Sequence, residues 1–190
     1  MLPRRAVAGG FVALVAALAA VVIGGAWFMR QLDPDAPLPP FTRLQSLAAF
    51  SEYGVRVEIA LERDLRGRLV LAGTYTPPEP DMHFYGVDLP RAGIAGLGRP
   101  TRLDVPASLV AGRITADRPV VLDEIAELGV VLPIYPDGPV TLRVPVTLPP
   151  GERPTEATLR ISYMACSSKG YCLPPVVDRE VTVLLPRAAP

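Results

Sequence analysis

Proline governs what this chain can become. All of its 23 prolines except Pro3 lie beyond residue 33. A proline removes a backbone donor and fixes φ, which disfavours long soluble helices and suits short strands joined by stiff loops. The residues between the prolines alternate. Val55, Val57, Ile59 and Leu61 share one phase, and Arg56, Glu58 and Glu62 share the other, the period-two pattern of a half-buried strand. Asp64-Leu65-Arg66-Gly67 reads as a turn and Arg68–Tyr75 as the partner strand. Val140, Leu142, Val144, Val146 and Leu148 repeat the alternation, with Pro145 on the opposite phase, as at an edge or a bulge. Shorter strands are predicted near Thr101–Val105, Leu109–Thr115, Pro119–Leu122 and Val130–Ile134, while Phe41–Phe50 fits a short helix or an opening strand. The glycine-rich stretch Gly93–Pro100 matches no phosphate-binding fingerprint and precedes no helical pattern, so it reads as a connection. Many short strands separated by Pro/Gly loops predict an all-β chain, a β-sandwich.

The N-terminus is of another kind. Residues 6–29 carry no charged side chain. As a helix they would rise about 36 Å at about 1.5 Å per residue, enough for a hydrocarbon core of about 30 Å. Arg4 and Arg5 precede the segment, so residues 1–5 are expected in the cytoplasm and the remainder outside. Gly24-Gly25-Ala26 offers small residues for signal-peptide cleavage, but the uninterrupted length favours a transmembrane anchor. Residues 30–40 then form a proline-rich linker, and residues 41–190 the exported domain. Net charge is zero, which gives no basic surface for nucleic acid.

The only two cysteines, Cys166 and Cys172, lie near the other end with five residues between them. Leu159, Ile161 and Tyr163 alternate with Arg160, Ser162 and Met164 before them, and Val176–Leu185 is β-rich after them. Ser167-Ser168-Lys169-Gly170 is turn chemistry, so the whole reads as a hairpin with a thiol on each limb. A permanent structural disulfide is the ordinary reading of two cysteines in an exported chain. Closing so short a loop, however, yields only about 2.4 kcal/mol of chain-entropy stabilisation, and the bond would join residues the hairpin already holds together. A dithiol that opens and closes makes better use of that position. Lys169, the one lysine, lies between the thiols, where an ammonium favours the attacking thiolate, although a solvated turn lysine is an equally ordinary reading. A metal site built from both thiols and His83, the only histidine, is a weaker alternative, and no metal or other cofactor is expected. His83 also lacks any nucleophile motif around it.

At this hairpin the chain resembles the N-terminal periplasmic domain of the thiol:disulfide interchange protein DsbD family. The residues that carry the likeness are Tyr163-Met-Ala-Cys166-Ser-Ser-Lys-Gly-Tyr171-Cys172-Leu-Pro174-Pro175, which match that family's Tyr-x-x-Cys-x5-Cys-x-Pro-Pro pattern. Residues 41–188 follow the family more loosely. The resemblance implies an immunoglobulin-like sandwich facing the periplasm, which places the single anchor read from residues 6–29 in the inner membrane. It implies Cys166 and Cys172 as the redox pair, with Cys172 forming the mixed disulfide, and Tyr163, Lys169, Tyr171, Pro174 and Pro175 shaping the pocket. A membrane-embedded thiol reductant would supply electrons, and periplasmic thioredoxin-fold proteins would receive them. Family members continue into a membrane conduit, whereas this sequence stops at Pro190, so the reductant is expected to be a separate protein. The family also covers its disulfide with an aromatic cap loop. Position relative to Tyr135 places that loop at Glu127–Val130, with Leu128 standing in for the aromatic. Phe84-Tyr85-Gly86 has the cap's letters but lies too far upstream, which leaves Phe84 as the other candidate. The rival function is a membrane-anchored interaction domain with an inert disulfide.

Overall fold

A computed structural model describes residues 40–150 and 153–186. The expected anchor at residues 6–29 and nearly all of the linker lie outside those residues. Among the described residues, no helix is long and apolar enough to cross a membrane.

Among the described residues twelve strands follow one another: β1 Phe41–Glu52, β2 Val55–Asp64, β3 Leu69–Thr76, β4 Met82–Phe84, β5 Arg102–Asp104, β6 Thr115–Ala116, β7 Val121–Ile125, β8 Val130–Ile134, β9 Val140–Pro145, β10 Thr155–Tyr163, β11 Ala165–Ser167 and β12 Val176–Leu185. They make a five-stranded sheet ordered β1-β2-β3-β9-β6 and a three-stranded sheet ordered β12-β10-β5. Two shorter pairs, β11-β4 and β7-β8, complete the set. The opening segment is therefore a strand. Among the described residues it pairs with β2 alone, with register breaks between Arg43 and Gln45 and between Ser46 and Ala48, irregularities that suit an exposed edge. Tyr53 and Gly54 join β1 to β2 with φ of 49° and 83°, the left-handed pair that a two-residue hairpin turn requires.

One core lies between the two larger sheets. Val55, Val57, Ile59 and Leu61 of β2 and Val140, Leu142 and Val144 of β9 pack with Leu159, Ile161 and Tyr163 of β10 and Val183 and Leu185 of β12. Each fully buried aliphatic side chain contributes about 1.5–3 kcal/mol relative to exposure. Tyr75, Phe84 and Tyr163 meet edge-to-face in this core, with ring centroids 5.7 to 6.3 Å apart. Their polar ends are satisfied: Tyr75 Oη donates to the Arg102 carbonyl at 2.7 Å, and Tyr163 Oη to the Glu52 carbonyl at 3.3 Å.

Burial, and then the nearby Glu52 charge, push the Tyr163 phenol up to about 12. Above about pH 10 an unfolded chain ionises this tyrosine and the native one does not. The unfolded state then binds fewer protons, so the contribution is intact below about pH 10 and lost as pH rises toward 12. Melting curves from pH 9 to 12 should fall more steeply for wild type than for Tyr163→Phe; equal slopes would contradict this burial.

Two expectations need correcting. Leu109–Thr115 is not one strand: Val110 makes an isolated bridge to Val146, Thr115–Ala116 pairs with Arg143 and Leu142, and Leu109 plugs the core from a loop. The strand expected at Pro119–Leu122 begins at Val121 and runs to Ile125. Pro145 closes β9, which lies between β3 and β6. Its carbonyl accepts from Ala111 N at 2.8 Å, and its missing N–H falls in the gap between two-residue β6 and the isolated Val110–Val146 bridge, where the pairing is interrupted.

Candidate functional site

The cysteine segment is built by a change of partner. β10 pairs with β12 as far as Tyr163↔Val176. After Met164 the chain crosses to β4, with Ala165↔Phe84, Cys166↔His83 and Ser167↔Met82 in register. Strand parity then sorts the side chains. Tyr163 and Ala165 belong to the main core, whereas Met164 and Cys166 join a second apolar cluster with Tyr85, Leu89, Val130 and Leu132. The same parity along β4 and its exit sends Met82 and Phe84 into the main core, and His83 and Tyr85 toward the disulfide.

The turn closes through Gly170 N to the Ser167 carbonyl at 2.9 Å and Ser167 N to the Tyr171 carbonyl at 2.7 Å. Cys172 thereby returns opposite Cys166 as an antiparallel pair, and the two form a disulfide with Cα atoms 4.0 Å apart. Short acidic contacts hold the turn down. Ser167 Oγ donates to Asp81 Oδ2 at 3.2 Å, Ser168 Oγ to Asp137 Oδ2 at 3.0 Å and Tyr171 Oη to Glu79 Oε2 at 2.8 Å. Lys169 Nζ lies 2.9 Å from Asp81 Oδ2. That hydrogen bond holds the Asp81 carboxyl below the usual carboxylate range and raises the lysine. The ammonium expected to activate a thiol is thus engaged by a carboxylate.

The two sulfurs differ in environment. Cys166 is 3% exposed, and Tyr85 Oη donates to its Sγ at 3.1 Å. Burial, then the Asp123 charge, push the Tyr85 phenol up, so it stays a donor. Cys172 is exposed. A recess of about 450 Å³ opens beside the bond. Its walls come from Asp123 and Ile125 of β7, Leu132 and Ile134 of β8, Met164, and the loop at Leu97. Arg99 Nη1 braces that loop by donating to the Ala92 and Gly96 carbonyls at 3.0 and 3.1 Å. Gly98 has φ of 73°, and a Cβ there would stand 2.8 Å from the Tyr85 ring, so a side chain at this position would displace the phenol. A larger recess of about 710 Å³, lined among others by Leu44, Leu61, Arg63 and Pro186, holds no thiol, histidine or carboxylate.

Among the residues singled out from sequence, Cys166 and Cys172 come together, but their expected neighbours do not surround them. Tyr163 faces the main core because it shares the phase of Leu159 and Ile161. Lys169, Tyr171, Pro174 and Pro175 are exposed and do not line the recess. Phe84 is fully buried in the core and cannot cover the bond. Leu128 lies in the turn joining β7 to β8, 61% exposed. The β7–β8 arm itself does wall the recess, through Ile125 and Leu132. Tyr85, whose hydroxyl reaches the sulfur, is a site residue that the motifs do not mark. Once Phe84 is placed in the core, parity sends Tyr85 the other way, but three-residue β4 is too short for the sequence alone to fix that phase. Among the described residues, no group of three His, Cys, Asp or Glu side chains converges on a metal-sized site.

No family model and no curated protein matches the chain. Among solved structures, it is similar to the N-terminal domain of DsbD from Neisseria meningitidis in the reduced form. The identity there is 17% and the TM-score 0.40, over 80% of this chain and 91% of that one. It is also similar to the N-terminal periplasmic domain of ScsB from Proteus mirabilis, with 11% identity and a TM-score of 0.43. That match covers 77% of this chain and spans about half of the other, 51%.

Proposed function

We propose that the chain is a thiol–disulfide exchange domain working through Cys166 and Cys172, in which an exposed sulfur meets the partner and a buried one resolves. The carrying observation is the asymmetry of the pair: Cys172 faces solvent, while buried Cys166 accepts a hydrogen bond from Tyr85. A donor thiolate attacks Cys172 Sγ, a donor–Cys172 disulfide forms, and Cys166 leaves as a thiolate toward the Tyr85 hydroxyl. The donor's second thiolate then closes the donor disulfide and releases Cys172. In the delivering direction the steps reverse: Cys172 attacks the acceptor disulfide and Cys166 resolves the mixed bond.

The family resemblance carried by the double proline and the cysteine spacing supports this reading and an immunoglobulin-like sandwich facing the periplasm, and the uncharged residues 6–29 support a single inner-membrane anchor. The donor is then a membrane-embedded dithiol protein, and the acceptors are thioredoxin-fold proteins. The reduction potential against glutathione buffers tests the reading. A value between about −270 and −120 mV belongs to exchange proteins, and one below about −300 mV to inert structural bonds. Tyr85→Phe removes one hydrogen bond to a developing thiolate, worth about 1.5 kcal/mol, and should slow reduction by a dithiol about tenfold with the melting temperature little changed. An unaltered rate would remove Tyr85 from the mechanism.

A further inference from the structure

His83 is the direct cross-strand partner of Cys166, a position that sets two Cβ atoms about 4.5–5.5 Å apart on one face. It is 7% exposed, and its Nδ1 is buried with no hydrogen-bond partner among the described residues. Asp137 Oδ1 lies 3.5 Å from that nitrogen, too far for a good hydrogen bond but within ion-pair range. A buried polar atom without a partner asks for an explanation, and a redox role is among the physical ones. With its proton on Nε2, a neutral ring turns a lone pair toward a carboxylate; a second proton on Nδ1 turns that contact into an attraction.

We propose that His83 stores one of the two protons that accompany reduction, so that reduced Cys166 stands as a thiolate opposite an imidazolium. This rests on the exchange reading above. An incoming protein dithiol loses two electrons and two protons as it becomes a disulfide. The Cys166–Cys172 bond breaks, and exposed Cys172 takes one proton from solvent. The other goes to His83 Nδ1, and Cys166 keeps its negative charge. The groups facing the imidazole are Asp137 from the segment after β8, Asp123 across the recess on β7, Tyr85 on its own side of β4, and the redox turn, with the Asp81–Lys169 pair at its edge. All of them are present in both redox states. A difference in His83 protonation between the states therefore reads the sulfur charge.

His83 is the chain's only histidine, so isotope-labelled histidine gives a single side-chain NMR titration in the full chain in detergent micelles. We expect the phosphine-reduced protein to hold the His83 proton at least tenfold more tightly than the oxidised protein, a midpoint at least one pH unit higher. In a Cys172→Ser background, thiolate absorbance should place Cys166 ionisation at least one pH unit lower with His83 than with His83→Gln. Coincident histidine curves in the two redox states, or a Cys166 titration indifferent to His83→Gln, would overturn the inference. A phosphine reduces the bond whatever its potential, so both curves are obtained in any case. Failure of the bond to equilibrate with glutathione would sink the exchange reading separately.

Discussion

Cys172→Ser is expected to abolish exchange with a dithiol donor and to leave a cooperatively folded domain. The bond spans a short loop, so its removal costs about 2.4 kcal/mol on the loop-closure model. At about 2–4 °C per kcal/mol for a domain of this size, melting should drop by about 5–10 °C. The core between the larger sheets receives neither sulfur, and Cys166 is already paired to β4 through backbone. Cys166→Ser should behave differently. The exposed Cys172 thiolate still attacks an acceptor disulfide, but no second sulfur resolves the product, so a mixed disulfide accumulates on Cys172. Mass spectrometry after incubation with an oxidised thioredoxin-fold protein, alongside circular-dichroism melts, reads both variants. Loss of folding in Cys172→Ser would identify the bond as a structural clip, and equal trapping by either single variant would overturn the assignment of Cys172 as the attacking sulfur.

Phe84→Ala should destabilise the domain more than the loss of the disulfide does. The ring is fully buried and packs edge-to-face against Tyr75 and Tyr163. Truncating a core phenylalanine costs about 3–5 kcal/mol, a large share of the stability of a typical domain. Leu128→Ala, at an exposed turn, should stay within about 0.5 kcal/mol. Urea unfolding midpoints separate the two. If Phe84→Ala left the midpoint in place while speeding reduction of the disulfide, the phenylalanine would be covering the bond, and the core assignment would be wrong.

The sandwich is legible in the sequence because its strands are long enough to display their parity. Val55, Val57, Ile59 and Leu61, Val140, Leu142 and Val144, and Leu159, Ile161 and Tyr163 are all buried on the phase that the sequence marks as apolar, although Ala60, Thr141 and Ser162 are buried on the other phase. The loop at Leu109 imitates a strand because a loop that plugs a core also buries apolar residues at short intervals. Glu62 shares the outward phase of its strand in sequence, yet it is buried and paired with Arg143 at 2.8 Å. The thiol pair and its turn are plain in the sequence, but the surrounding pocket is not. Three-residue β4 is too short to show its parity, and only its pairing with β11 decides that His83 and Tyr85, rather than Phe84, face the sulfurs. The crossing at Met164 leaves no mark, since the residues around it alternate without interruption.

That crossing also bears on how the molecule comes apart. β11 hydrogen-bonds to β4, and β4 in turn to the chain at Tyr135 and Gly138. None of these rungs belongs to the ladders of the five-stranded or three-stranded sheet. Met82, Phe84 and Ala165 tie β4 and β11 to the main core, whereas β7 and β8 form a two-stranded sheet of their own whose buried Val130 and Leu132 belong to the second cluster. The β7–β8 arm is therefore expected to open as a cooperative unit, at a free energy below that of global unfolding. A partner chain that needs access to Cys166 would have to lift only this arm, while the larger sheets stay closed around their own core.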